Sequence, residues 1–261
     1  MAEAIIKGIV NSKLTSPNKI GVSEPDKKRR KYLQQTYGVK TFDNNSELSD
    51  FANIVILAVK PQVMSPVLAD CAEKLTEAHL IISIAAGLPI SFFENSLPHI
   101  KTPKIVRVMP NTPALVGESA TAIAINKNVL DEDLQITELL FKKIGTTTIL
   151  NENLLDAVTG LSGSGPAYVF SFIEGLIDAG VAQGCSRPVA EQLAVQTVLG
   201  SAQLLKQTKE HPAVERARVT SPGGTTITGI QVLEKEGFQG IIMEAVAAAV
   251  QKSKELGKDK K

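Results

Sequence analysis

The sequence contains few of the residues that form disulfide frameworks or metal sites. Its 261 residues include two cysteines, three histidines and no tryptophan. Cys71 and Cys185 are too few for a disulfide framework and are typical of a reducing compartment, so we expect a cytoplasmic protein. His79, His99 and His211 have no cysteine or histidine neighbour at ligand spacing, so we expect no metal.

An excess of one charge and long apolar runs are absent as well. The formal net charge is +1, so charge gives no reason to expect nucleic acid or an anionic membrane as a partner. The most apolar stretch, residues 167–181, contains Glu174 and Asp178. It is too short and too polar to span a bilayer, and it suits a buried helix interface instead.

The first 150 residues alternate short β-branched runs with helical stretches. Predicted strands cover residues 19–23, 39–42, 54–59, 80–83, 104–108, 120–125 and 146–149. Predicted helices cover residues 2–10, 26–37, 66–75, 90–96 and 131–144. Strands separated by helices indicate a parallel sheet covered on both faces, which is the doubly wound pattern of a Rossmann-type α/β domain.

From about Leu154 onward the strand pattern stops, and alanine, glycine and leucine dominate. Predicted helices cover residues 153–161, 166–183, 188–209, 212–219, 225–236 and 238–256. We therefore predict an α/β domain at residues 1–150 and an all-helical domain at residues 151–261. The helices carry more apolar surface than one small domain can bury, which predicts an interface between subunits.

The segment V-T-S-P-G-G-T-T-I at residues 219–227 predicts a tight turn that opens a helix. Its adjacent glycines, Gly223 and Gly224, let backbone N–H groups approach a bound group without a Cβ in the way. A helix N-terminus leaves N–H donors unpaired and carries partial positive charge, so the turn suits an anion. Thr225 and Thr226 add hydroxyls. The same residues also fit an ordinary capped helix.

Two further motifs precede this turn. They are V-M-P-N-T-P at residues 108–113 and G-L-S-G-S-G-P-A-Y at residues 160–168. Together with S-P-G-G-T-T-I at residues 221–227, in this order and at these separations, the set closely resembles the pyrroline-5-carboxylate reductases. Each motif is weak by itself, but the ordered set is specific, and the resemblance extends over most of a family member's length.

The resemblance implies an oxidoreductase that uses NAD(P)H to reduce Δ1-pyrroline-5-carboxylate to L-proline, the last step of proline biosynthesis. It implies a Rossmann-type domain followed by an all-helical domain that binds substrate and forms a homodimer, often within a decamer. The sequence offers no Ser-His-Asp, Cys-His or paired-carboxylate arrangement. That absence is expected for hydride transfer, because the cofactor carries the chemistry.

The resemblance also implies a missing first strand. In the family a strand and G-A-G-N-M-A precede the first helix, whereas here Met1 and Ala2 occupy the last two positions of that motif. A central strand contributes roughly 6–12 kcal/mol through apolar burial, which rivals the net stability of a domain. We therefore expect poor folding, weak dinucleotide binding and a strand at residues 19–23 that lacks one neighbour. Either an internal methionine was taken as the start, or this is a truncated relative with impaired activity.

By resemblance, the cofactor contacts residues at the ends of several strands. The candidate cofactor-binding residues are Ser23, Asn45, Ala58, Val59, Lys60, Pro61, Ala85, Ala86 and Asn111. The carboxyl edge of an open α/β sheet is where such ligands bind. The basic run at residues 27–30 suits the 2′-phosphate of NADPH, whereas Glu24 favours NADH. A solvated helix face fits the basic run equally well, so the sequence predicts NADPH without excluding NADH.

The resemblance places the substrate at the turn of residues 221–226. Backbone N–H groups and the Ser221 hydroxyl would hold the carboxylate, with Gly223, Gly224 and Thr225 completing the turn. Thr226 would act as the catalytic residue by donating a hydrogen bond to the ring nitrogen, because a protonated imine is the better hydride acceptor. Gly163, Ser164 and Gly165 would lie under the nicotinamide and the substrate ring.

Two other functions fit parts of the sequence. One is a related imine or hydroxyacid reductase, but a hydroxyacid dehydrogenase generally needs a lysine on its first helical element, and residues 156–182 contain none. The other is an inactive or regulatory dimeric scaffold that lost its nucleotide loop. An in-frame strand with G-x-G upstream of the Met1 codon would favour the enzyme, and a stop codon there would favour the scaffold.

Overall fold

The computed structural model describes residues 1–258, which pack as two compact units. The sheet unit contains residues 1–164 and the described residues from 248 onward, and the helical unit contains residues 165–247. Packing therefore divides the chain later than the predicted boundary between residues 150 and 151. That boundary follows the change from strands to helices, and as a division into domains it stays a prediction.

The sheet unit alternates strands and helices as predicted. Its strands are β1 (Gly21–Ser23), β2 (Lys40–Phe42), β3 (Ile54–Leu57), β4 (Leu80–Ser83), β5 (Lys104–Met109), β6 (Ser119–Ile125) and β7 (Gly145–Ile149). Its helices are α1 (Ala2–Asn11), α2 (Lys27–Tyr37), α3 (Asn45–Phe51), α4 (Met64–Ala72), α5 (Ile90–Ser96), α6 (Asp131–Phe141) and α7 (Leu155–Val158). The α/β fold class is confirmed.

The strands of this unit form two separate sheets. β1 and β2 pair in parallel, and the second sheet has the order β3-β4-β5-β6-β7. The registers place Ile54 opposite Leu80 and Leu80 opposite Lys104. Among residues 1–258, β1 pairs only with β2, and β3 pairs only with β4. β1 and β2 therefore form a sheet of two strands in the described chain. The missing first strand stays a prediction that follows from the resemblance.

One strand departs from the predicted parallel arrangement. β6 runs antiparallel to β5, with Met109 opposite Ala122, and it is parallel to β7. The prediction of a parallel sheet was wrong for this pair of strands. Only residues 110–118, which include a 3₁₀ helix at Thr112–Val116, connect β5 to β6. A parallel connection needs a crossover of a dozen or more residues, and this one is too short.

The core of the sheet unit lies on both faces of the larger sheet. On one face Val55, Ile81 and Ile105 pack against α4 and α5. On the other face Ile82 and Val106 pack with α1 and α6. Because successive side chains of a strand point to opposite faces, short apolar runs supply both cores at once. The prediction of a sheet covered on both faces is confirmed.

The helix α3 was missed in the sequence analysis, and its N-terminal cap explains why it forms. α3 was not predicted, and Asn45 was expected to bind the cofactor. The Asn44 side chain accepts a hydrogen bond from the Glu47 N–H at 2.8 Å, and its own amide donates to the Glu47 carboxylate at 2.8 Å. This reciprocal capping stabilises the first turn of the helix. Asn45 is therefore the first residue of a helix.

The remaining elements form the helical unit and its flanks. They are α8 (Gly165–Ala182), α9 (Arg187–Thr208), α10 (Pro212–Arg218), α11 (Thr225–Lys235) and α12 (Phe238–Lys258). The described part of the chain contains no strand after Ile149, as predicted. The predicted helix at residues 153–161 was wrong in detail. It is divided into a 3₁₀ turn, α7 and a π-helix at Thr159–Gly163.

Candidate active site

The turn at residues 221–226 leads directly into α11. Gly224 is the N-cap residue, and the helix has neither a capping side chain nor an acidic residue in its first turn. The Gly224 N–H donates to the Ser221 carbonyl at 3.1 Å and closes the turn. The first N–H groups of the helix have no acceptor within it, so this end combines free donors with partial positive charge.

The geometry of the turn favours glycine at both positions, for different reasons. Gly223 has φ of +65°, which is the left-handed region that glycine adopts without steric cost. A Cβ at Gly224 would collide with Ser221 Oγ. The hydroxyl of Thr228 is used internally, because it donates to the Gly224 carbonyl at 3.1 Å. The side chains of Thr225 and Thr226 are exposed at the same helix end.

The second predicted substrate segment contains a π-helix. The Ser164 N–H donates to the Thr159 carbonyl at 2.8 Å, five residues back. Such a bulge is uncommon and frequently occurs at functional sites. A Cβ on Gly163 would lie 2.6 Å from Met109 Cε, so this position admits only glycine unless the methionine moves. Gly165, the first residue of α8, belongs to the helical unit.

Asn111 is held firmly within the sheet unit. Its side-chain oxygen accepts from the Ala120 N–H at 3.0 Å, and its amide donates to the Ser162 carbonyl at 3.0 Å. Its own backbone N–H donates to Ser119 Oγ at 3.2 Å. The residue is buried and joins the loop after β5 to β6 and to the π-helix. The hydrogen bond to Ser162 ties the Asn111 side chain to the segment that contains Gly163.

At the end of β1, part of the basic run has internal partners. Arg29 forms an ion pair with Glu3 of α1. The Arg30 guanidinium donates to the Glu24 carbonyl at 2.6 Å. Lys27 and Lys28 are exposed in the first turn of α2, next to Ser23. Two of the four basic residues therefore stabilise the protein, and two lysines face solvent.

The A-V-K-P segment forms a turn beyond β3. The strand was predicted to reach Val59, but it ends at Leu57, because Lys60 caps a 3₁₀ helix that Pro61 begins. Ala58 and Val59 are half-buried and Lys60 is exposed. These residues follow the carboxyl end of a parallel strand, where ligands of open sheets bind.

The loop after β4 and Asn45 lie in different surroundings. Ala85 is buried in the core with its N–H donating to Ser83 Oγ at 3.2 Å, whereas Ala86 is half-buried. The side chain of Ala85 is therefore part of the core. The Asn45 side chain donates to the Asp70 carboxylate at 3.2 Å, which ties α3 to α4.

The chain matches two family models. The model described as pyrroline-5-carboxylate reductase dimerisation matches residues 152–256. The model described as NADP oxidoreductase coenzyme F420-dependent matches residues 1–87. A pyrroline-5-carboxylate reductase of Synechocystis is 49% identical over 258 residues, covering 99% of this chain and 95% of the relative.

This chain belongs to the pyrroline-5-carboxylate reductase family. Solved structures of other proteins support the same family. The NADP-bound pyrroline carboxylate reductase of Plasmodium falciparum is 36% identical with a TM-score of 0.88, covering 98% of this chain and 94% of that one. The Coxiella burnetii pyrroline-5-carboxylate reductase is 34% identical with a TM-score of 0.91 and the same coverage. The protein is therefore an oxidoreductase with a Rossmann-like unit and a helical dimerisation region.

This reductase also contains a polar cluster that the sequence reading missed. Glu3 of α1 accepts hydrogen bonds from Tyr32 at 2.9 Å and Tyr37 at 2.8 Å, besides its ion pair with Arg29. The hydrogen bond from Tyr37 is the main cause that lowers the pKa of Glu3. Burial and the same hydrogen bond raise the pKa of Tyr37 to about 12. The cluster fixes α1 against α2, and no periodicity in the sequence signals such a long-range set.

The described chain has neither a metal-binding cluster nor a helix that could cross a membrane. Within residues 1–258, no group of three or more histidine, cysteine or acidic side chains is arranged to hold a metal ion. Over the same residues, no helix combines the length and apolar character needed to cross a membrane. Both cysteines are free, with Cys71 buried and Cys185 exposed.

Proposed function

We propose that this family member reduces Δ1-pyrroline-5-carboxylate to L-proline with hydride from a nicotinamide dinucleotide. The hydride adds to the imine carbon and a proton adds to the ring nitrogen, so that the C=N bond becomes a C–N bond and the dinucleotide leaves oxidised. The near-full-length identity with the Synechocystis enzyme supports this reaction. The NADP bound in the Plasmodium falciparum relative supports the class of cofactor.

The observation that carries the substrate assignment is the uncapped N-terminus of α11. A carboxylate bound there would accept hydrogen bonds from backbone N–H groups and from Ser221, with no acidic side chain in the first turn to repel it. Each such charge-assisted bond contributes about 1.5–3 kcal/mol. Gly223, Gly224 and Thr225 shape the turn, and the Thr225 hydroxyl contacts the same carboxylate.

Thr226 is the proposed catalytic residue. Its exposed hydroxyl lies one residue inside the helix, where it donates to the ring nitrogen of a substrate whose carboxylate is held by the turn. Gly163, Ser164 and Gly165 lie under the nicotinamide and the substrate ring in this proposal. Their lack of bulky side chains supports close approach of both planar groups.

The test of this role compares Thr226→Ala with Thr226→Ser. The alanine variant is expected to lower kcat by at least about tenfold, because the donor at the nitrogen is lost. The serine variant keeps a hydroxyl and is expected to restore most of the turnover. NADPH oxidation is followed with Δ1-pyrroline-5-carboxylate, and circular dichroism checks folding. A folded alanine variant with wild-type kcat excludes Thr226 as the donor.

NADPH is the proposed cofactor, with Ser23 and the exposed lysines Lys27 and Lys28 at its 2′-phosphate. Lysine binds phosphate through the attraction between its positive charge and the negative phosphate. Lys27 and Lys28 are both exposed in the first turn of α2. The nicotinamide half of the cofactor is bordered by two loops, which contain Ala58, Val59, Lys60, Pro61, Ala85 and Ala86. Asn45 lies near the adenosine ribose, and Asn111 acts through the π-helix segment.

The cofactor preference is tested with the double variant Lys27→Ala/Lys28→Ala. The KM for NADPH is expected to rise about tenfold while the KM for NADH stays unchanged, because only NADPH carries the 2′-phosphate. Lys31→Ala removes an exposed lysine one turn further along α2 and serves as the matched control. An equal change in both KM values would show that the lysines do not discriminate between the cofactors.

We also propose that the helical region forms a homodimer and that dimers assemble into a decamer in the cytoplasm. In the described helical unit, only Ala190 and Ala194 are buried, while Phe170, Leu193 and Met243 are 63%, 58% and 73% exposed. Such apolar surface is typical of a subunit interface. The match to the dimerisation family supports the same region. The two free cysteines support a reducing compartment.

A further inference from the structure

The C-terminal part of α12 packs within the sheet unit. From Ala248 onward the described residues belong to that unit, although the helix begins in the other one. Ser253 is 5% exposed, and its hydroxyl donates to the Asp156 carboxylate of α7 at 2.6 Å. Ser253 therefore joins the C-terminal part of α12 to the segment that continues into the π-helix.

One turn further along, α12 meets the loop that follows β4. A Cβ on Gly257 would lie 2.8 Å from the Gly87 carbonyl oxygen, and a Cβ on Gly87 would lie 3.4 Å from the Cβ of Leu256. Two backbones therefore approach each other with glycine on both sides. Gly87 also has φ of +76°, so its own conformation favours glycine.

The loop touched by α12 is the one that contains Ala85 and Ala86. Its far side is fixed by Glu152, whose carboxylate accepts from the Ile90 N–H at 2.7 Å and from Arg107 at 3.0 Å. Arg107 is 7% exposed, so this support is largely shielded from solvent. The loop is thus held at one end by the Glu152 carboxylate, which forms a partly buried ion pair with Arg107, and at the other by the last turn of α12.

We infer that the last turn of α12 positions the loop at residues 84–87 for the dinucleotide, with Gly257 and Ser253 as its positioning residues. The inference rests on the proposed cofactor site. A side chain at position 257 pushes against the Gly87 carbonyl and moves Ala85 and Ala86, whose backbone borders the nicotinamide half. Small displacements of positioning groups produce large changes in binding and rate.

The experiment compares Gly257→Val and Gly257→Ala with wild type. The KM for NADPH is expected to rise about tenfold in the valine variant and by less in the alanine variant, with the KM for Δ1-pyrroline-5-carboxylate within about twofold. Gly240→Ala is the matched control, because it lies in the same helix and its Cβ would meet no atom within 4 Å. Fluorescence titration with NADPH measures binding without turnover.

A second variant keeps the inference testable if Gly257→Val does not fold. Ser253→Ala removes only the hydroxyl that donates to Asp156, and it is expected to raise the NADPH dissociation constant about threefold. Folded Gly257 and Ser253 variants with wild-type NADPH binding would overturn the inference. If the wild type binds NADPH but does not reduce Δ1-pyrroline-5-carboxylate, the proposed function is wrong. The binding titrations would still show whether α12 positions the loop for NADPH.

Discussion

The sheet unit and the helical unit bury their apolar side chains in different ways. Phe93, Ile81 and Ile105 of the sheet unit are completely buried, whereas the described helical unit buries only two alanines. The sheet unit therefore supplies its own core. The helical unit has long helices but few buried side chains. Its exposed apolar residues are therefore suited to contact with another protein surface. The two regions should respond differently to the same kind of substitution.

The largest expected effect follows from a charge on the exposed apolar surface of the helical unit. Leu193→Asp, in α9, is expected to abolish the homodimer and with it most of the reductase activity, because an aspartate cannot be buried unpaired in an interface. Size-exclusion chromatography with light scattering measures the mass of the oligomer.

Leu139→Asp is the matched control for this prediction. Leu139 is an exposed leucine in α6 of the sheet unit, with 44% exposure against 58% for Leu193. Its substitution is expected to leave the oligomeric state unchanged. If both variants remain oligomeric, the apolar surface around Leu193 is not the interface, and the contrast between the units has another cause.

An intermediate effect is expected from truncating one large side chain in each unit. Phe93 lies on α5 and is buried in the core against the larger sheet. Phe93→Ala is expected to lower the free energy of unfolding by about 3–5 kcal/mol, because apolar burial is lost and a cavity is left. Leu204→Ala, at a position 44% exposed in α9, is expected to cost about 1 kcal/mol or less at protein concentrations where the chain is monomeric. Urea denaturation followed by circular dichroism compares them, and equal losses would contradict a helical unit without a core.

The smallest expected effect concerns pH and the Glu3 cluster. The hydrogen bond from Tyr37 lowers the pKa of Glu3 below its ordinary value of 4.5, so the charged cluster stabilises the fold above that pH. This contribution is lost as the pH falls through the lower native pKa. Glu3→Gln is expected to remove this acid dependence and to cost about 1 kcal/mol at neutral pH.

Unfolding midpoints of wild type and Glu3→Gln, measured from pH 7 to pH 3, test this prediction. The difference between the two proteins should shrink at the acid end, because protonated Glu3 resembles glutamine. A difference that grows as the pH falls would contradict the sign of the pKa shift. Lys31→Ala, an exposed charge on α2 with no part in the cluster, should show the wild-type pH dependence.

Much of the fold and part of the site could be predicted from the residues alone. Short β-branched runs and 3.6-residue periodicity located the strands and most helices, because both signals depend on neighbouring residues. The S-P-G-G-T-T motif located the turn that opens α11, because glycine and a helix start act locally. α3 illustrates the limit, since this helix was not predicted and its first turn depends on the hydrogen bond from the Glu47 N–H to the Asn44 side chain.

The sequence by itself determined where strands and helices form, which motifs lie at their ends and to which family the chain belongs. Only the tertiary structure decided the antiparallel direction of β6, the contacts that hold Asn111, the Glu3 cluster and the return of α12 to Gly87. The physical reason is distance along the chain. Ser253 and Asp156 are 97 residues apart, and Gly257 and Gly87 are further, so no local pattern encodes that they meet.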